Sequence, residues 1–356
     1  MRQTFCILSL LLLFSFIVWR AEPLQAQDQI RVPAGELEQT DSVDFWPHTL
    51  SGNSYNEFWT YRFDLDGDLE ITMVFSVANF GSLKSPVSGV RISILGFSDR
   101  TYQVMREYPL DRLVTDRENW IFQLHPERDI WIEGQLPERH EIRFRTRKDG
   151  VDYDIHLELS NIQQGYRWGN GQFRIDGTDV GMYTHIPWAR VSGNVKINDE
   201  EKPVRGTAYM DHTHQDKITT KLLTAGYRYI WQNGSHSWGA GHFLAHGNEV
   251  IGYSLSNRNG TVSLAKPNRI SVSGNQSVSG HSLPTQVEVE YQEGPNSVLV
   301  RTRDRETFAL LQELGGLARR IARGYLRGEI IEFRGEGQLE SGSYMTPMHY
   351  SYFIVD

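Results

Sequence analysis

Alternation of apolar and polar residues with a period of two runs through most of the chain. In Val151-Asp-Tyr-Asp-Ile-His-Leu-Glu-Leu159 every second residue is apolar, the pattern of a strand with one buried face. Residues 140–147 alternate in the same way, and Asp149-Gly150 between them favours a type I′ turn, so the spacing predicts a hairpin. Equivalent hairpins are expected for residues 58–65 with 69–78 around Asp66-Gly67-Asp68, and for 227–232 with 236–245 around Asn233-Gly234. Further strands are expected at 87–95, 190–197, 204–209, 250–255, 287–291 and 297–302, with a return to strands at 328–335 and 345–355. About a dozen strands joined by short turns form antiparallel meanders that must curl or split rather than lie in one open sheet. The expected fold class is all-β.

One segment departs from this period. Across residues 305–323 the apolar positions Phe308, Leu311, Leu314, Ala318 and Ile321, continued just beyond by Tyr325, follow helical spacing, which predicts a single amphipathic helix weakened by Gly315-Gly316. Its C-terminal half carries Arg319, Arg320, Arg323 and Arg327, suited to a helix C-terminus; the first reading is a helix packed against a barrel with a solvated basic face, and the alternative is peripheral contact with an anionic membrane surface.

The first residues address the compartment. Met1-Arg2 precedes an apolar run over residues 5–19 and a polar stretch ending Leu24-Gln25-Ala26, which reads as a signal peptide over residues 1–26, cut before Gln27. The run falls short of the roughly 20 residues that cross a bilayer, although an uncleaved anchor is the alternative. A secreted or periplasmic protein is expected. Cys6, the single cysteine, lies in this leader, so the exported chain would have no disulfide and no thiolate chemistry. At about 150 residues per domain the remainder divides into two, and His185-Ile-Pro-Trp188 marks a boundary between domains 27–187 and 188–356.

Charge and missing motifs narrow the function. With 44 acidic residues against 36 basic ones, a net charge of −8 and no basic tract, nucleic acid is not an expected partner. There is no Gly-x-Ser-x-Gly elbow, phosphate-binding loop, His-Glu-x-x-His helix or dinucleotide-binding turn. No cofactor is implied. What stands out is Gly206-Thr-Ala-Tyr209-Met-Asp211-His212-Thr-His214 at the end of a strand. Tyr209 and Asp211 point to one side of it, and on an apolar barrel interior desolvation would raise the carboxyl pKa until Asp211 donates a proton. His212 then faces the opposite side. The alternative is a turn-capping Asp211 beside a core tyrosine. His212 and His214 alternate around Thr213, so a metal site through this pair, zinc for preference, is a further reading. Aromatic residues including Trp188, Trp231 and Trp238, with His242 among them, would suit a long apolar ligand if they face inward, and would otherwise fill a core.

Read as Gly-x-x-Tyr-x-Asp-His, residues 206–212 resemble the motif of the lipocalin-like AttH group. That group includes carotenoid 1,2-hydratase (hydroxyneurosporene synthase) and the yeast oxidative-stress survival factor, with fungal Diels-Alderases and tocopherol cyclase more distant. Glu57-Phe-Trp-Thr-Tyr61, followed by a strand ending Ser76-Val-Ala-Asn79, is similar to the opening of its first domain. The resemblance implies two tandem lipocalin-like (calycin) antiparallel β-barrels, with the helix in the second. It also implies a hydrophobic ligand such as an isoprenoid or lipid, held by residues such as Trp188, His212, Trp231, Trp238 and His242. If the chain is an enzyme, it implies cofactor-free hydration or cyclisation with Asp211 as the acid and Tyr209 beside it. His185 and Trp188 are the nearest match to an upstream histidine and tryptophan of the hydratases, at a different spacing. Thr213-His214-Gln215 replaces their acidic-aromatic continuation.

Overall fold

The computed structural model describes residues 30–233 and 236–356, so the expected leader lies outside the described residues. Local rules hold well. Asp149 (φ 51°) and Gly150 (φ 80°) both take the left-handed backbone that a type I′ turn requires, and they join His140–Lys148 to Val151–Ser160. Tyr55–Leu65 pairs with Leu69–Asn79, and Leu223–Asn233 pairs with His236–Ala245.

These hairpins assemble into two antiparallel sheets. The first runs from Tyr102–Pro109 through Val87–Leu95, Leu69–Asn79, Tyr55–Leu65, Glu200–Gln215, Thr178–Ile197, Val151–Ser160 and His140–Lys148 to three short strands. It curls until its ends meet: Ser88 Oγ donates to the Leu124 carbonyl at 3.2 Å, and Arg106 Nε donates to Thr146 Oγ1 at 3.0 Å. Trp59, Tyr61, Phe63, Phe75, Phe144 and Ile155 fill the inside. The second sheet runs from Thr261–Ala265 through Val250–Arg258, His236–Ala245, Leu223–Asn233, Tyr344–Val355, Ile330–Ser341, Ser297–Ala309 and His281–Tyr291 to Pro267–Val278, wrapping its own core. The chain is thus two antiparallel barrels in tandem, with one helix in the second. A third apolar cluster, with Val180, Met182, Phe243, Tyr253 and Phe353, joins the barrels along a seam.

Two expectations change. The helix is Gly316–Leu326, because residues 305–309 continue the strand Ser297–Ala309, where Phe308 sits opposite Glu332. Gly315-Gly316 therefore opens the helix instead of interrupting it, as the low helix propensity of glycine favours. The junction expected at 187/188 falls inside Thr178–Ile197, since register shifts on either side of Ile186 absorb Pro187 without ending the strand. The chain passes from the first sheet to the second across residues 216–222.

Candidate functional site

Glu200–Gln215 is central in the first sheet, paired to Tyr55–Leu65 on one side and Thr178–Ile197 on the other, so its two faces meet different surroundings. Ala208 and Met210 belong to the interior of the first barrel, and His212 and His214 continue that face. Tyr209, Asp211 and Thr213 alternate with them and face the second sheet. Tyr209 and Asp211 do share a side, but it is the seam and not a barrel interior.

At the seam Asp211 is 6% exposed, and its Oδ1 has no hydrogen-bond partner among the described residues. Arg228 Nη2 from the second sheet stands 3.6 Å from that oxygen. Burial raises the Asp211 pKa, and Arg228 opposes the shift without reversing it. Tyr209 is buried beside it, its ring lying across Gly239, where a Cβ would come within 2.8 Å of the ring. Tyr253 adds its hydroxyl, 3.4 Å from Thr184 Oγ1 and 3.3 Å from the Met182 carbonyl.

Cavities flank this row. One of about 230 Å³ is lined by Tyr166, Thr184, Pro187, Tyr209 and Leu255. Another, of about 150 Å³, is lined by both sheets, with Phe58, Val90, Met182, Phe243, Ile330 and Phe353 giving it an apolar wall. Between them is a gap of about 40 Å³ bounded by Tyr209, Asp211 and Arg228. A half-buried ion pair ties the two walls together, Arg91 Nη2 of the first sheet reaching Glu332 Oε2 of the second at 2.6 Å, and within the second sheet Arg334 bridges Glu332 and Glu306 at 2.9 and 3.0 Å. Burial would raise the Glu332 pKa, yet Arg91 and Arg334 hold it down at about 2.

A second polar cluster lies on the opposite face, inside the first barrel. His212 Nε2 is 2.8 Å from Glu57 Oε1, and its Nδ1 is 3.0 Å from the Asp44 carbonyl. Glu57, fully buried, also accepts from the backbone N–H of His48 and Thr49 and from Thr49 Oγ1, with His48 Nδ1 at 3.0 Å. Burial works to raise its pKa, but the His212 and His48 hydrogen bonds hold the carboxyl well below the usual carboxylate range. Burial also pulls His212 down, against Glu57. His185 packs beside them, with Nε2 3.4 Å from His212 Nδ1, and burial pushes its pKa well below the ordinary value.

His214 stacks on His48 with ring centroids 4.4 Å apart, and burial lowers its pKa to about 3. Its ring lies directly over Gly181, where a Cβ would come within 2.0 Å of Nε2. Gly181→Ala is therefore expected to displace the imidazole and cost about 1–3 kcal/mol through overpacking. Urea unfolding checks this, and unchanged stability would mean the ring swings away freely.

His48 Nδ1, Glu57 and His212 Nε2 lie within 4.8 Å of one another, a donor set suited to zinc. The metal reading thus changes members: His48 and Glu57 stand with His212, and His214 does not. These donor atoms already satisfy one another, so a cation would have to exchange existing hydrogen bonds for coordination.

The other expected residues are dispersed. His185 is on the opposite face of the sheet from Asp211, because the bulge after Thr184 turns both His185 and Ile186 into the first barrel. His242 is fully buried in the second barrel, 3.3 Å from the Tyr229 hydroxyl and 3.1 Å from Ser254 Oγ, with its pKa lowered to about 3 by burial. Trp231 packs against the second core near Tyr344. Trp188 is half-buried in the irregular part of its strand, its indole N–H without a hydrogen-bond partner among the described residues. The Trp238 side chain lies outside the described residues. Nothing in the sequence marks Arg228, His48 and Glu57 as site residues: Arg228 sits in an ordinary strand, and Glu57 reads as the polar start of one.

No family model matches the chain, and no curated protein matches it. Solved structures do. A candidate AttH protein of Nitrosomonas europaea superposes with a TM-score of 0.62 at 15% identity, over 90% of this chain and 98% of that one. Kievitone hydratase from Nectria haematococca gives 0.53 at 12% identity, over 91% and 98%. CghA in complex with Sch210972 gives 0.51 at 10% identity, over 90% and 98%. The tandem lipocalin-like fold implied by the Tyr-x-Asp-His motif is the fold this chain has.

Proposed function

We propose that this chain is exported and binds a lipophilic small molecule, of isoprenoid or lipid type, in the seam between its two barrels. The observation that carries the reading is the apolar cavity walled by both sheets, while each barrel interior is packed with its own side chains. The ligand place proposed here is the seam, so Trp231 and His242, which serve the second core, are not part of it.

A specific observation favours a second, catalytic reading. To the small gap it shares with Tyr209 and Arg228, Asp211 presents a buried carboxyl oxygen that accepts no hydrogen bond among the described residues, and burial favours its neutral acid form against the pull of Arg228. In a hydration, the Asp211 O–H transfers its proton to one alkene carbon, leaving a cation at the other that the Tyr209 ring face can stabilise. Water adds to that carbon and returns a proton to the Asp211 carboxylate, so the enzyme is regenerated without a cofactor. In a cyclisation an internal double bond attacks the cation instead of water, and the new ring cation loses a neighbouring C–H proton to the Asp211 carboxylate, which leaves a ring alkene and restores the acid.

Native mass spectrometry with organic extraction, on wild type and Asp211→Asn, tests both readings. Wild type is expected to release a hydrophobe, and its absence would sink the binding reading. If Asp211 is the acid, Asp211→Asn retains the ligand but slows conversion by about 100-fold or more, so the precursor replaces the product. The same compound from both proteins would leave a carrier.

A further inference from the structure

The helix Gly316–Leu326 turns one side inward and leaves another uncovered. Ala322 and Leu326 are buried with Ile218 and Leu311, against Phe80 and Tyr325. Leu314, Leu317 and Ile321, spaced three and four residues apart, are 41%, 74% and 59% exposed, and Leu317 is the most exposed large apolar residue among those described. Of the four arginines alongside, Arg319 pairs with Glu329 at 2.8 Å and Arg323 with Asp356 at 3.4 Å. Arg320 and Arg327 are exposed and enter no ion pair among the described residues. Four arginines within nine positions stand out on a chain of net charge −8.

Position gives the patch a meaning. Phe80, against which the helix packs, also lines the 150 Å³ seam cavity, as does Leu310, next to Leu311. The Tyr325 hydroxyl accepts from the Ser82 N–H of the first barrel at 3.2 Å, so the helix bridges both halves where the cavity ends. We propose that this helix docks the protein on an anionic lipid bilayer, with Leu314, Leu317 and Ile321 entering the acyl boundary and Arg320 and Arg327 meeting lipid phosphates, so that a lipophile passes between bilayer and seam. A bilayer satisfies the two features together: it takes the short apolar stripe, and its phosphates complement unpaired arginines. The proposal rests on the seam as the ligand place.

The test places an environment-sensitive fluorophore at Ala318→Cys, in a Cys6→Ser background of the full chain, which makes the readout local to the helix. Vesicles of phosphatidylcholine alone are compared with vesicles in which one third is phosphatidylglycerol. A blue shift is expected with the anionic vesicles only. Arg320→Glu with Arg327→Glu should weaken the response at least about tenfold, and Leu317→Glu with Ile321→Glu should abolish it. No shift, or an equal shift with neutral vesicles, overturns the proposal. So does a shift that appears without vesicles, whether it rises with protein concentration, meaning a second copy covers the patch, or not, meaning residues 1–29 do. Organic extraction separates the two ideas: a lipophile recovered from a protein that shows no shift leaves the seam reading standing and only the docking falls.

Discussion

Glu57→Ala is expected to remove about 3–5 kcal/mol of stability and to lower Tm by about 10 °C, because it strands a buried imidazole and three unpaired donors. His212 would lose its partner at Nε2, and the His48 and Thr49 N–H groups and the Thr49 hydroxyl would lose their acceptor. Replacing both members, Glu57→Leu with His212→Leu, should cost less than Glu57→Leu and His212→Leu made singly and added, since no charge is then left alone. Urea unfolding of wild type, these two single variants and the double closes the cycle. A single-variant cost below about 1 kcal/mol would mean that the pair contributes little and that water replaces Glu57.

Acidification should weaken the protein well before its carboxylates titrate. His140, His214 and His242 are buried, and burial lowers their pKa values to about 4, 3 and 3. In the unfolded chain each returns to about 6.5. Between these limits the unfolded state binds more protons, so stability is full above pH 6.5 and falls as pH drops toward the folded values. Together the three contribute on the order of 5 kcal/mol of loss between pH 7 and pH 5. His185 and His212, also lowered, act in the same direction. Glu57 and Glu332, held down by their partners, add to the loss below about pH 4.5, where their unfolded counterparts protonate. Urea midpoints across this range measure the effect, and a flat profile from pH 7 to pH 5 would show that these histidines admit water. His242→Gln should flatten the slope by about 1.4 kcal/mol per pH unit.

Much of the fold was legible because strands with one buried face announce themselves. Val87–Leu95 has the bounds its alternation suggested, and Asp149-Gly150 marked its hairpin correctly. Thr178–Ile197 was seen only in its second half, since the bulges around Ile186 break the alternation and Pro187 reads as an end. The site was legible as a strand and not as a place. Period two correctly put Tyr209 and Asp211 on one side and His212 on the other, but which side was interior depended on pairing with residues some 150 positions away. Arg228 reaches Asp211 from another sheet, and His48 reaches Glu57 from a loop. No local pattern encodes either contact.

Each barrel keeps its strands to itself. The first is tied together when Glu200–Gln215 joins Tyr55–Leu65, and the second when Tyr344–Val355 joins Leu223–Asn233. For a chain emerging N-terminus first, the earlier barrel can shut before most of the later one exists, and the later one must wait for its last dozen residues. The seam belongs to neither and forms only by docking of finished walls. Asp211 therefore gains its surroundings last of all, and a half-made chain, however well folded, presents no such chamber.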